Sequence, residues 1–192
     1  PNYPELWYWE GPINGHDYFL SADIAAGGTE GKKADFSTFH VVDFKTGEVA
    51  AEFMGRITPE KFAGIISETA TLYNMALVCP ERNSGYGQNV INALRHLDYH
   101  RVYHKEKHEY TKSAQIYSEE EFQTAGFSTQ TQSRQSVLAF LNTQVSAGIL
   151  KIHSERWIQQ AKAFVFNKST GKPQASSGEK DDLIMSLAIG SF

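Results

Sequence analysis

The stretch Tyr18-Phe19-Leu20-Ser21-Ala22-Asp23-Ile24-Ala25, closed by Gly27-Gly28, decides how this chain is read. A near-continuous apolar run stopped by a glycine turn is the pattern of a strand buried on both faces. Asp23 is the anomaly in it. An isolated carboxylate in such a strand is costly unless it is paired, protonated or bound to a cation. Further on, Phe36 to Phe44 carries Phe39, Val41 and Val42, followed by the turn Lys45-Thr46-Gly47-Glu48 and a third run from Val49 to Arg56. Two strands joined by a tight glycine turn form a hairpin, so this half of the sheet is expected to be antiparallel.

Downstream the pattern changes. Thr58 is a good N-cap and Pro59 suits the first helical position, with Phe62, Ile65, Ile66, Ala70 and Tyr73 on one face. Met75 to Pro80 reads as a short apolar strand ending at Glu81, and Arg82 to Gly87 as a turn. Val90, Ile91, Leu94 and Leu97 mark the next helix, and Arg101-Val102-Tyr103 a short strand. Three strands, helix, strand, helix, strand is the order of a mixed α/β sheet, an antiparallel meander with parallel additions. Lys105 to Gln132 is polar and reads as a long surface loop. Ser133 to Ala147 is helical with Gly148 at its end, Ile149 to Ile152 is a short strand, and Ser154 caps a helix carrying Trp157. Phe164 to Asn167 reads as a strand leading to a hairpin tip at Lys168 to Pro173. The last helix, from near Asp181, is apolar on nearly every side and therefore buried. Residues 1–14, with Trp7 and Trp9, form an irregular arm or linker end; residues 15–192 form a single domain.

Composition narrows the classes of function. At 192 residues, with 41% hydrophobic and 21% charged, the chain can bury a sizeable core and is not disordered. No apolar run approaches the ~20 residues of a membrane helix. The single cysteine, Cys79, excludes an internal disulfide framework and a multi-thiolate zinc site. A formal charge of −4 excludes a strongly basic nucleic-acid coat but not local basic patches. The chain starts at Pro1 without a signal segment and is expected to be a piece of something longer.

Three acidic positions carry the chemistry. Asp23 precedes one glycine turn, Glu81 ends the next apolar strand, and Asp181 and Asp182 open the buried helix. Taken singly, strand-end acids are solvated and acids at a helix start are caps. Taken together, if the Asp23 and Glu81 strands are parallel neighbours, their carboxylates emerge at one sheet edge, and the helix start adds more. Converging carboxylates repel unless a cation compensates, and hard oxygen donors suit Mg²⁺ or Mn²⁺. His96, His100, His104 and His108 recur every four residues but do not share one helix, so they read as solvent-exposed rather than as zinc ligands. Gly27 to Lys33 lacks the spacing of a phosphate loop, so nucleotide binding is rejected there.

Five elements occur in an order that resembles one family: Asp23 after its strand, Asp35-Phe36-Ser37-Thr38-Phe39, Cys79-Pro80-Glu81-Arg82-Asn83-Ser84-Gly85-Tyr86-Gly87, Gly126-Phe127-Ser128-Thr129 with Arg134, and Gly178 to Met185 containing Asp181-Asp182. The chain resembles the C-terminal nuclease domain of the large terminase subunit of tailed bacteriophages, from about Asp17 to Ile189. The resemblance implies a ribonuclease H-like fold and a metal-dependent endonuclease that cuts concatemeric double-stranded viral DNA as packaging starts and ends, by two-metal-ion phosphodiester hydrolysis. It implies Asp23, Glu81 and one or both of Asp181 and Asp182 as catalytic metal ligands for two Mg²⁺ or Mn²⁺ ions. Asp35, Asn83 and Lys180 are implied in support; Lys180 stands where many relatives carry histidine.

Expected DNA contacts are Arg82, Arg134, Lys168 and Lys172, with Lys32, Lys33, Lys105, Lys107, Lys112 and Lys180 as further candidates. The resemblance also implies as partners a terminase ATPase domain absent from this chain, the portal protein and the small terminase subunit. No membrane partner is implied, and the expected setting is the host cytoplasm during phage assembly, without secretion. Two other readings share the pattern: a junction resolvase or transposase-like nuclease of the same fold, and a non-catalytic docking domain of a packaging motor.

Overall fold

The computed structural model describes residues 2–27, 35–105, 116, 118–166, 173–176 and 178–191. Its centre is a five-stranded sheet in the order β1-β4-β3-β2-β5. β1 is Leu6–Tyr8, β2 Tyr18–Asp23, β3 Ser37–Asp43, β4 Val49–Gly55 and β5 Leu77–Pro80. β2, β3 and β4 form the antiparallel meander, and β5 joins β2 in parallel. Val102 adds an isolated parallel bridge beyond Val78, in place of the expected short strand. The mixed sheet read from the sequence is therefore present.

Helices cover both faces. α1 (Pro59–Leu72) and α2 (Ser84–His96) pack on one; α4 (Thr131–Ser146), α5 (Glu155–Ala163) and α6 (Asp182–Ser191) pack on the other. Thr58 caps α1 by accepting from the Lys61 N–H at 3.5 Å, with Pro59 next. Under α1 the Phe39 and Phe53 rings stack with centroids 5.4 Å apart, and Phe62 joins at 5.9 Å from Phe39; such pairs contribute ~0.5–1.5 kcal/mol each beyond area burial. α6 is buried from Asp182 to Ile189, as its apolar sequence requires. It approaches β2 closely at Gly190, where a Cβ would stand 2.3 Å from Ser21 Oγ. β6 (Phe164–Phe166) and β7 (Pro173–Ala175) form a separate antiparallel pair. The tip between them, with Lys168 and Lys172, lies outside the described residues, as do Lys32, Lys33, Lys107, Lys112 and His108.

Four local expectations are corrected. Leu6–Tyr8, inside the stretch read as irregular, pairs with β4 and lengthens the sheet. Helix α2 starts at Ser84, inside the Arg82–Gly87 segment read as a turn. Within the segment read as a surface loop, Glu119–Thr124 is a helix, α3, closed by a capping box of Ser118 and Glu121, and it buries Phe122. His104 is buried, with Nε2 2.7 Å from Thr124 Oγ1, because α3 packs over it; His100 is half-buried. In addition, Ile149–Ile152 contributes only a bridge between Lys151 and Glu48. Among the described residues, no helix is long and apolar enough to cross a membrane.

Candidate active site

Asp23 and Glu81 meet because their strands are parallel neighbours. Ala22 stands opposite Pro80, and the Glu81 N–H donates to the Ala22 carbonyl at 2.8 Å. Side chains alternate faces along a strand, so Asp23 goes with Phe19 and Ser21, and Glu81 with Leu77 and Cys79. Phe19, Leu77 and Cys79 pack against Ile189 of α6. Both carboxylates therefore emerge on the face that α6 covers.

The third acid comes from α6 itself. Asp23 pairs in register with Thr38, whose hydroxyl donates to the Asp182 main-chain carbonyl at 2.9 Å. The Phe36 N–H donates to Asp182 Oδ2 at 3.3 Å. The first turn of α6 is thus tied to β3 beside the end of β2. A further partner, unnoticed in the sequence, is Gln160: its Oε1 accepts the otherwise orphaned Leu183 N–H at 2.9 Å.

The electrostatics are those of crowded anions. The Asp23 carboxyl is pushed well above the ordinary carboxylate range, first by burial, then by hydrogen-bonding contact with Glu81 and by the charges of Glu81, Asp182 and Asp181. Asp182 is raised to about 6; burial and the charges of Asp35 and Asp181 outweigh the Phe36 N–H and the Lys180 ammonium, which pull it down. Carboxylates brought this close repel one another, and a cation would relieve that repulsion. Among the described residues, no three His, Cys, Asp or Glu side chains already form a group that could hold a metal ion. The donor set itself, carboxylate oxygens under mutual repulsion at a partly buried edge, fits a hard divalent cation.

The flanking residues fix the acids. Asn83 Nδ2 donates to Glu81 Oε1 at 3.1 Å and also to the Thr129 carbonyl, while its Oδ1 accepts from the Thr129 N–H at 3.2 Å and the Ser128 hydroxyl at 3.3 Å. Phe127 bridges Glu81 in parallel, its N–H donating to the Pro80 carbonyl at 2.9 Å. Ser128 and Thr129, given no role from sequence, hold the asparagine that orients Glu81; their place just before a helix was the available signal. Gly87 lets α2 start against this edge, since a Cβ there would meet the Glu81 carbonyl oxygen at 2.2 Å. Arg134 donates to Asp181 Oδ2 at 2.6 Å, Lys180 pairs with Asp35, and Arg82 donates to the Thr124 carbonyl at 3.1 Å.

No protein-family model matches the chain, and neither does any curated protein. Solved structures do. The large terminase nuclease from thermophilic phage G20c superposes with a TM-score of 0.70 at 16% identity, over 98% of this chain and 88% of that one. The large terminase nuclease domain of Thermus phage P74-26 gives 0.68 at 16% identity, over 97% and 84%. The G20c nuclease with bound magnesium gives 0.70 at 17% identity, over 98% and 87%. The fold is that of a large terminase nuclease domain. It is ribonuclease H-like, and in this terminase-nuclease fold Asp23 and Glu81 occupy adjacent carboxyl ends of parallel strands, with Asp182 beside them.

Proposed function

We propose that this chain is a divalent-metal-dependent endonuclease that cuts concatemeric double-stranded viral DNA when packaging starts and ends, with residues 15–192 as one nuclease domain. The observation that carries this reading is the convergence of Asp23, Glu81 and Asp182 on one sheet edge, where burial first, and then the neighbouring carboxylates, raise the Asp23 carboxyl well above its ordinary range. Crowding of this kind costs stability and is relieved by a cation, so it marks a functional edge rather than a structural one. The likeness in fold to a nuclease solved with bound magnesium supports it.

In this reading Asp23, Glu81 and Asp182 hold Mg²⁺ or Mn²⁺, two ions in all, with Asp181 joining from the start of α6. When bound, such ions lower the pKa of water and neutralise charge on a scissile phosphate and on the departing 3′ oxygen. The chain's own residues do the rest. Asn83 sets the orientation of Glu81, Lys180 moderates the negative charge at Asp182, and Asp35 holds Lys180. Arg82, Arg134, Lys168 and Lys172 contact the phosphate backbone. With a net charge of −4, DNA affinity is low and salt-sensitive. Tethering to the ATPase domain raises the effective concentration of DNA at the site. The portal protein and small subunit complete the assembly, in the host cytoplasm.

The test is cleavage of supercoiled plasmid in Mg²⁺ or Mn²⁺ by the parent chain and by Asp23→Ala. Metal-dependent cutting lost in the variant is the expected result. Undiminished cutting by Asp23→Ala would end the assignment, and a strong preference for branched DNA would move it to a junction resolvase.

A further inference from the structure

A row of polar residues crosses the sheet beneath α5 and α6. Trp7 stands opposite Glu52, Glu52 opposite His40, and His40 opposite Ser21 in the strand register, so all four project from one face. His40 Nδ1 lies 2.9 Å from Ser186 Oγ on α6, and His40 Nε2 lies 3.1 Å from Glu52 Oε2. The other Glu52 oxygen accepts from Arg156 Nε at 2.8 Å, and the Arg156 guanidinium sits 3.6 Å over the Trp7 ring. The His40 and Glu52 side chains are wholly buried, as is Ser186.

An apolar row would cover α6 without the cost of desolvating these groups. What the polar row adds is register, because a directional hydrogen bond resists the sliding that apolar contact permits. The register matters at one place. Ser186 lies one helical turn beyond Asp182, on the same face of α6. His40 lies two residues beyond Thr38 on β3, and Thr38 holds the Asp182 carbonyl. Two successive side chains of one strand face therefore grip two successive turns of α6.

We propose that His40, held by Glu52 and Arg156, is a positioning residue that fixes Asp182 relative to Asp23 by gripping Ser186. The proposal rests on the reading of Asp23, Glu81 and Asp182 as the metal-holding edge. The tautomer follows from the partners. An ionised Glu52 only accepts, so His40 Nε2 carries a proton. Nδ1 then accepts from the Ser186 hydroxyl in the neutral imidazole, or donates to it in the imidazolium, while that hydroxyl turns to the Leu183 carbonyl 3.2 Å away. The grip holds in both protonation states.

The test uses Ser186→Ala, His40→Asn, their double variant and Asp23→Ala in the chain as it stands. Mn²⁺ affinity is read by calorimetry, and stability and amide exchange are read without metal. Alanine favours a helix, so Ser186→Ala still folds, but it leaves the buried His40 Nδ1 without its partner, and a melting temperature lower by about 2–4 °C is expected. Losing the grip is expected to weaken Mn²⁺ binding about three- to tenfold and to speed exchange at the start of α6 by a similar factor, leaving β4 unchanged. The double variant is expected to be no weaker in Mn²⁺ binding than His40→Asn alone, since both break one relay. Parent affinity in Ser186→Ala, or a uniform rise in exchange across the sheet, would overturn the positioning role. If Asp23→Ala keeps parent Mn²⁺ affinity, the metal edge itself is refuted. If Asp23→Ala loses Mn²⁺ while the Ser186 and His40 variants match the parent, only the positioning role is refuted.

Discussion

The guanidinium of Arg134 donates to Asp181 Oδ2 at 2.6 Å, so the two adjacent aspartates that open α6 are electrostatically unequal. Asp181 has a full ion pair at partial exposure. Asp182 is buried, accepts from the Phe36 N–H and feels the field of Lys180, itself engaged by Asp35. A cation arriving at the Asp23–Glu81 edge gains most from the carboxylate that is not already compensated.

Asp182→Asn is therefore expected to abolish metal-dependent cutting, by more than the ~100-fold upper range for groups outside a ligand shell, while Asp181→Asn costs about tenfold. Plasmid cleavage rates measured across a Mn²⁺ titration check this. Equal losses in the two variants would refute the inequality.

Crowded anions cost stability when no cation is present. Asp23→Asn replaces a buried ionisable carboxyl, whose charged form burial and its neighbours disfavour, with a neutral side chain that still hydrogen-bonds beside Glu81. In chelator, its melting temperature is expected to rise by about 2–4 °C, the equivalent of ~1 kcal/mol in a chain of this size. Adding Mn²⁺ should raise the parent's melting temperature and leave the variant's unchanged. Calorimetric scans with and without metal decide it.

At the opposite end of the sheet, Asp43 has the reverse character. Burial alone would raise its carboxyl, but His16 Nδ1 at 2.6 Å and the N–H groups of Lys45 at 2.8 Å and Thr46 hold it below the ordinary value of 3.8. A depressed carboxyl contributes stability that is present above its unfolded value and lost as pH falls through the folded one. Asp43→Asn should thus lower stability by about 1–2 kcal/mol at pH 7, and the gap should close below about pH 3.8. Denaturant titrations at pH 7, 4 and 2.5 measure it.

Gly87→Ala sets two effects against each other. In a helix interior the change normally stabilises by ~1 kcal/mol. Here the new Cβ would meet the Glu81 carbonyl oxygen at 2.2 Å and Arg82 Cα at 2.7 Å, both backbone atoms that cannot turn away. The clash wins: a loss of about 1–3 kcal/mol is expected, with weakened Mn²⁺ binding because Glu81 is pushed from its strand. Thermal melts and calorimetry on one sample test both.

The sequence by itself determined the elements whose signals are local. Apolar runs joined by a glycine turn specify the β3–β4 hairpin, Thr58-Pro59 starts α1, and an apolar circumference buries α6. It also marked Asp23 as out of place in an apolar strand, because the cost of a buried charge belongs to the residue and its neighbours in the chain, and it marked Glu81 and the Asp181–Asp182 pair as acids that could join it. Helix α3 was legible too, through the Ser118–Glu121 capping box, but the polar run around it hid the signal. Other relations existed only in three dimensions. The parallel pairing of β2 with β5 puts Asp23 and Glu81 on one face, Arg134 reaches back to Asp181, Asn83 clamps Ser128 and Thr129, and His40 meets Ser186. A strand's period tells which residues share a face, but not which distant strand lies alongside or which helix turn docks there. Those are settled when the whole core closes, by which pairings bury the most apolar surface and leave the fewest polar groups unmet.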